Sequence, residues 1–146
     1  MGEWRTRSLR ELCRFDASAS TESARSDAVG PRFLRITDIQ NGHVDWRTVP
    51  YCPISPEQHE KYRLQSGDIV IARTGNSTGE NYLFNSDEDA VFASYLIRFR
   101  IDPQEADARF VWYTLRAPSW WTFLDASKTG SAQAGANASV LGGYPI

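Results

Sequence analysis

The sequence predicts a mixed α/β (α+β) domain in which a mixed β-sheet or partly closed β framework carries a few short helices. Three observations point there. Residues 69–72 form a β-branched apolar run too short for a helix. Several further strand-like segments are separated by turn residues, and the helix starts announced by capping residues lead into short stretches only. The 146 residues fit one domain, because a chain of this size buries roughly two-thirds of its unfolded surface in a single core.

The elements follow in order. Ser8-Leu9-Arg10-Glu11 has capping-box spacing, so a short helix through Leu12 and Cys13 is expected. Residues 16–30 are small and polar without period and read as a loop. A strand is expected over 32–39, carried by Phe33, Leu34, Ile36 and Ile39. Asn41-Gly42 tolerates positive φ at both positions and predicts a hairpin, with 43–46 as the return strand. Ser55-Pro56-Glu57-Gln58 places a capping residue before proline and predicts a helix of about two turns ending near Tyr62.

Residues 64–68 turn the chain into the 69–72 strand, whose continuous apolar run suits burial on both faces. A polar loop, Arg73-Thr74-Gly75-Asn76-Ser77-Thr78-Gly79, follows it. Strands are expected at 82–84, 90–92 and 95–101; the last alternates Leu96, Arg98 and Arg100 against Ile97, Phe99 and Ile101, as a half-exposed strand would. Helical spacing over 107–117 puts Phe110, Val111, Thr114 and Leu115 on or near one face, and Pro118 ends it. A second helix should carry Trp120, Trp121, Phe123 and Leu124. Residues 128–137 are small, polar and Gly-punctuated, and lead through 138–141 to Tyr144-Pro145-Ile146.

Composition narrows the function classes. Net charge is -2, with 41% hydrophobic and 23% charged residues. The pI near 5.7 and mean hydropathy of -0.46 are those of a soluble globular chain, not of a generic cationic nucleic-acid coat. No run approaches the roughly 20 apolar residues of a spanning helix, and the first residues lack a signal-peptide core, so a cytoplasmic, non-membrane protein is expected. Cys13 and Cys52 are too few for a disulfide framework and read as buried thiols.

No catalytic set stands out. Gly75-Asn76-Ser77-Thr78-Gly79 has neither nucleophile-elbow nor P-loop form, and His43 and His59 are not in zinc spacing with the cysteines. Asp87-Glu88-Asp89 reads as a solvated turn. No metal and no cofactor are expected, and a chain of polar loops on a β framework reads as a binding module. Among its sixteen basic residues only Lys61 and Lys128 are lysines. The arginine fork reads guanine edges and phosphates bidentately, and Asn and Gln read adenine. Three groups combine these types: Arg32 and Arg35; Arg73, Thr74, Asn76, Ser77 and Thr78; and Lys128, Thr129, Ser131 and Gln133. For Arg73 an ion pair with Asp68 or Glu80 is the competing structural reading.

Residues 31–39 (Pro-Arg-Phe-Leu-Arg-Ile-Thr-Asp-Ile) with Gly42, then 62–75 (Tyr-Arg-Leu-Gln-Ser-Gly-Asp-Ile-Val-Ile-Ala-Arg-Thr-Gly), form the first blocks of a pattern. Ser94-Tyr95-Leu96-Ile97-Arg98, Gly130-Ser131-Ala132-Gln133, Asn137 and Pro145-Ile146 continue it. In this order they resemble the target recognition domain of specificity subunits in type I restriction-modification systems. The resemblance implies one recognition domain over 1–146, without the long conserved spacer helices of a full specificity subunit. It implies a non-catalytic part that reads half of a bipartite double-stranded DNA site. Its implied partners are methyltransferase and motor-nuclease subunits and a second copy or second recognition domain. An excised domain, a half-subunit and a cassette with another use stay open. So do two rival functions: a protein-interaction scaffold that kept the fold without DNA binding, and a ligand-binding domain using Trp112, Trp120 and Trp121.

Overall fold

The computed structural model describes residues 6–17, 24–127 and 138–146. The first cap forms as read: the Ser8 hydroxyl accepts the Glu11 N–H while the Glu11 carboxylate accepts the Ser8 N–H. The Ser8 backbone N–H, and then its hydroxyl, donating to the Glu11 carboxylate hold that carboxyl below its ordinary pKa. The helix is a single 3₁₀ turn, Leu9–Leu12. A strand absent from the sequence reading, β1 (Cys13–Ala17), starts immediately after it.

The strand expected over 32–39 is broken in two. β2 (Arg32–Leu34) gives way to a 3₁₀ turn at Ile36–Asp38 before β3 (Ile39–Gln40). The physical cause is Asp38, whose carboxylate accepts the Arg35 backbone N–H at 2.8 Å and closes the chain on itself. β3 pairs with β4 (His43–Val44) across the Asn41-Gly42 turn, both of whose residues have positive φ. A helix α1 (Pro56–Tyr62) begins on the Ser55 cap as expected. Then come β5 (Asp68–Ala72), β6 (Asn81–Leu83), β7 (Ala90–Phe92) and β8 (Leu96–Ile101). Among the described residues three helices follow: α2 (Ala108–Thr114), α3 (Pro118–Ser127) and α4 (Ala138–Gly142).

Among the described residues the strands form a four-stranded antiparallel sheet in the order β1-β8-β5-β6 and two two-stranded ladders, not a closed barrel. β2 and β7 make a parallel ladder. The β5 run is buried throughout because each of its faces meets a separate core. Ile69 and Ile71 pack with Val111, Leu115, Trp120 and Leu124 of the helical layer. Val70 and Ala72 pack with Leu34, Phe84 and Phe92 on the other side. Alternation along a strand therefore sorts one apolar run into two cores.

β8 departs from its expected half-exposure. It lies inside the sheet, and the face bearing Leu96, Arg98 and Arg100 is covered. Arg98 is 1% exposed and donates to the carbonyls of Lys61 and Arg63 at the C-terminal end of α1, where a helix presents unpaired acceptors. Burial, reinforced by the nearby Arg100 charge, lowers its pKa to about 10. Arg100 forms a bidentate pair with buried Asp68 at 2.8 and 2.9 Å. In α2, Val111 and Leu115 face the core, but Phe110 is 53% exposed and does not share their face. Trp120 is buried and Trp112 and Trp121 pack partly against the same core, which assigns these rings to packing. Of the two thiols, Cys52 is buried and Cys13 only partly so.

Candidate nucleic-acid interface

The register of the strands gathers one end of the molecule. Ala72, at the end of β5, faces Leu96, at the start of β8. Ala93, just after β7, donates its N–H to the Leu34 carbonyl at the end of β2. The 73–79 loop, the 93–95 turn and Arg35 therefore leave from the same edge of the framework.

The loop is internally built. Gly75–Ser77 forms a 3₁₀ turn, and buried Thr78 donates its hydroxyl to the Gly75 carbonyl at 2.7 Å. Gly79 N–H donates to Ala72 and closes the loop at its base. Glycine is required there: φ is +94°, and a Cβ would lie 2.2 Å from a Leu124 methyl carbon and 2.8 Å from the Trp121 ring. The Trp120 indole N–H donates to the Gly79 carbonyl at 2.9 Å, so the loop is seated on α3.

Arg73 is tethered at the opposite side of that loop. Its backbone N–H donates to the Tyr95 carbonyl and its side-chain Nε–H to the Ser94 carbonyl, both at 3.0 Å. Among the described residues it makes no ion pair. The two carboxylates that competed for it are taken: Asp68 by Arg100, and Glu80 by Arg116 at 2.6 Å. An arginine fixed through Nε keeps its terminal nitrogens for a ligand.

The other expected residues are distributed unevenly. Ser77 is exposed and Thr74 half-buried beside Arg73, and Asn76 falls in the 3₁₀ turn between them. Arg35 is at this end but engaged: its guanidinium grips the Asp38 carboxylate at 3.0 and 3.2 Å, which raises its pKa. Arg32 is not at this end. It starts β2, where it donates to the Val49 carbonyl at 2.9 Å, lies 4.3 Å over the Tyr51 ring and approaches Glu88 at 3.5 Å. Lys128, Thr129, Ser131 and Gln133 lie outside the described residues. Ser94, which opens one of the blocks of the resemblance, is not among the expected site residues. Its usable signal is a polar residue interrupting two apolar runs, 90–93 and 96–101.

The far end has the opposite character. An open cleft of about 450 Å³ is lined by Arg63, Gln65, Ser66, Asp87, Glu88 and Asp89. Asp89 meets the His59 ring at 2.6 Å and Arg63 at 4.0 Å. Among the described residues no three His, Cys, Asp or Glu side chains converge as a metal site.

Comparison with solved structures gives the fold a context. A chain solved in work on complex assembly and conformational transition of the type I R-M system superposes with a TM-score of 0.69 at 19% identity, over 98% of this chain and 37% of that one. The HsdS subunit from Thermoanaerobacter tengcongensis matches with a TM-score of 0.67 at 16% identity, over 98% of this chain and 32% of that one. The S subunit of a type I restriction-modification system from M. genitalium matches at 0.60 and 16% identity, over 99% and 34%.

The fold is that of a type I specificity-subunit domain. This chain spans about a third of the length of those structures. No family model and no curated protein matches the sequence. Within the specificity-subunit fold, the blocks that carry the resemblance meet in space: 31–39 ends beside the 93–95 turn, and 62–75 ends in Arg73, which that turn holds. No described helix is long and apolar enough to cross a membrane.

Proposed function

We propose that the chain is a sequence-specific double-stranded DNA recognition domain of a type I specificity subunit, reading one half of a bipartite site and performing no chemistry. The single observation that carries this reading is Arg73. It is aimed by two carbonyls at one end of the framework and joined to no described carboxylate, whereas Arg32, Arg35, Arg100 and Arg116 each meet one. A guanidinium with free terminal nitrogens suits the O6 and N7 edge of guanine. Ser77, Thr74 and Asn76 on the same loop, and Lys128, Thr129, Ser131 and Gln133 beyond α3, supply hydroxyl, amide and ammonium groups for phosphates and neighbouring bases. In this reading Arg35 is held in reserve by Asp38, Thr78 braces the loop, and Arg32 is structural.

Such a domain would act in the cytoplasm beside methyltransferase and motor-nuclease subunits, with a second recognition domain or a second copy reading the other half-site. The test is selection of bound duplexes from a random pool, followed by binding of the winners by wild type and Arg73→Ala. One short motif should be enriched, with affinity falling steeply as salt rises. Arg73→Ala should cost about 1–3 kcal/mol and flatten the preference at one base pair. A scaffold that has lost DNA binding, which the net charge of -2 favours, predicts a flat pool even at low salt.

A further inference from the structure

The 93–95 turn holds Arg73 by its carbonyls, and the side chain of its third residue has no partner among the described residues. Of the six tyrosines, five have partners. Tyr51 lies under Arg32, Tyr62 meets Phe92 edge to face, and Tyr82 is hydrogen-bonded to Trp46. Tyr113 packs on Trp112, and the Tyr144 hydroxyl meets Ser119. Tyr95 alone, among the described residues, makes neither a ring contact nor a hydroxyl hydrogen bond, and it is 57% exposed. It is not on a loose tip. The Leu96 N–H donates back to Ala93 at 3.1 Å, and the Tyr95 carbonyl accepts the Arg73 N–H at 3.0 Å.

Two side chains are thus left unspent at one place, a guanidinium and a phenol, their backbones locked together by a hydrogen bond. An aromatic ring left in water forfeits its burial free energy, and a tight turn between two buried strands has no packing need for tyrosine. The pair has complementary reach on duplex DNA. The arginine fork is matched to a base edge or a phosphate. The phenol is a neutral donor on a rigid stem with few torsions, a type that contacts the sugar-phosphate backbone and sets register.

We infer that Tyr95 is a further DNA contact, a positioning residue that donates its hydroxyl to a phosphate beside the base pair read by Arg73. The inference rests on the DNA-recognition reading above and adds to it a residue and an atom. A neutral donor releases no counterion. Its loss should therefore weaken binding without changing the salt slope, and it should weaken every sequence alike.

The experiment uses the duplexes that wild type selects from a random pool, with affinity measured by fluorescence anisotropy for wild type, Tyr95→Phe and Tyr95→Ala. Tyr95→Phe keeps the ring and its exposure, so the fold is undisturbed. It should bind about 3- to 10-fold more weakly, the range for one net hydrogen bond, with its base preferences and salt slope intact. Replacing single phosphates by methylphosphonate should reveal one position where wild type loses affinity beyond the common effect and Tyr95→Phe does not. If Tyr95→Phe and Tyr95→Ala both bind as wild type while Arg73→Ala loses its base preference, the Tyr95 contact is overturned and the domain's function stands. If wild type itself selects no motif, both fall together.

Discussion

The two ends of the strand framework differ in one arginine. At the end where β2 begins and β8 finishes, guanidinium groups are neutralised in place: Arg100 on Asp68, Arg32 near Glu88, Arg63 near Asp89. At the end where β5 finishes and β8 begins, Arg35 and Arg116 are paired too, on Asp38 and Glu80, but Arg73 is held by carbonyls, which orient it without discharging it. A mildly anionic chain can in this way present a local cation, because net charge says nothing about where the carboxylates sit. Structural arginines and candidate contacting arginines look alike in the sequence. They differ in the partner each is given by strand register.

The largest expected effect lies at the neutralised end. Asp68 is 1% exposed and carries a bidentate Arg100, so removing it strands a largely buried guanidinium. Asp68→Ala should lower unfolding free energy by about 3–5 kcal/mol in urea titrations. The folded fraction should bind DNA as wild type does, because the pair is about 13 Å along the strands from Ala72 and Leu96. Lost stability together with altered base preference would mean that the two ends are not independent.

At the other end, Arg73→Lys keeps the charge and removes the fork. Lysine has no Nε–H to place against Ser94 and no planar pair of donors. Non-specific affinity and its salt slope should remain, while the preference at one base pair falls by about 1–3 kcal/mol in competition between matched and mismatched duplexes. A lysine that preserved the preference would reduce Arg73 to a phosphate contact.

How much of this was legible beforehand depended on whether the deciding interaction was local. The caps at Ser8 and Ser55, the Asn41-Gly42 turn and the doubly buried 69–72 strand were readable, because each is set by neighbours within four residues. β1 was not, since its pairing partner β8 lies some eighty-five residues away, as in the register Cys13 to Ile101. The alternation of β8 suggested a solvent face. That face is instead filled by Arg98 on the α1 carbonyls and Arg100 on Asp68, partners supplied by tertiary packing. For the candidate site, the loop 73–79 was legible as a polar interruption after a buried strand. The separation of Arg32 from Arg35 was not, although only two residues part them, because β2 spans the distance between the two ends.

That separation sets the smallest prediction and the most discriminating one. Asp87→Asn, Glu88→Gln and Asp89→Asn combined remove three negative charges and release Arg32 from Glu88. The five residue-to-residue steps from Asp89 to Ser94 along extended chain place these charges roughly 17 Å from the Arg73 end. In water a pair of unit charges at that distance interacts by only about 0.2 kcal/mol. The Debye length, about 8 Å at physiological ionic strength and about 30 Å at 0.01 M, removes nearly all of it in the first case and less than half in the second. The triple variant should therefore bind selected duplexes about twofold more tightly at 0.01 M salt and indistinguishably at 0.15 M. The carboxylates of these pairs are partly exposed, and such pairs contribute little to stability, so unfolding should shift only slightly. If freed Arg32 belonged to the DNA surface, the gain would exceed tenfold, would persist at 0.15 M and would steepen the salt slope by about one. Such a result would erase the distinction between the ends and return Arg32 to the interface.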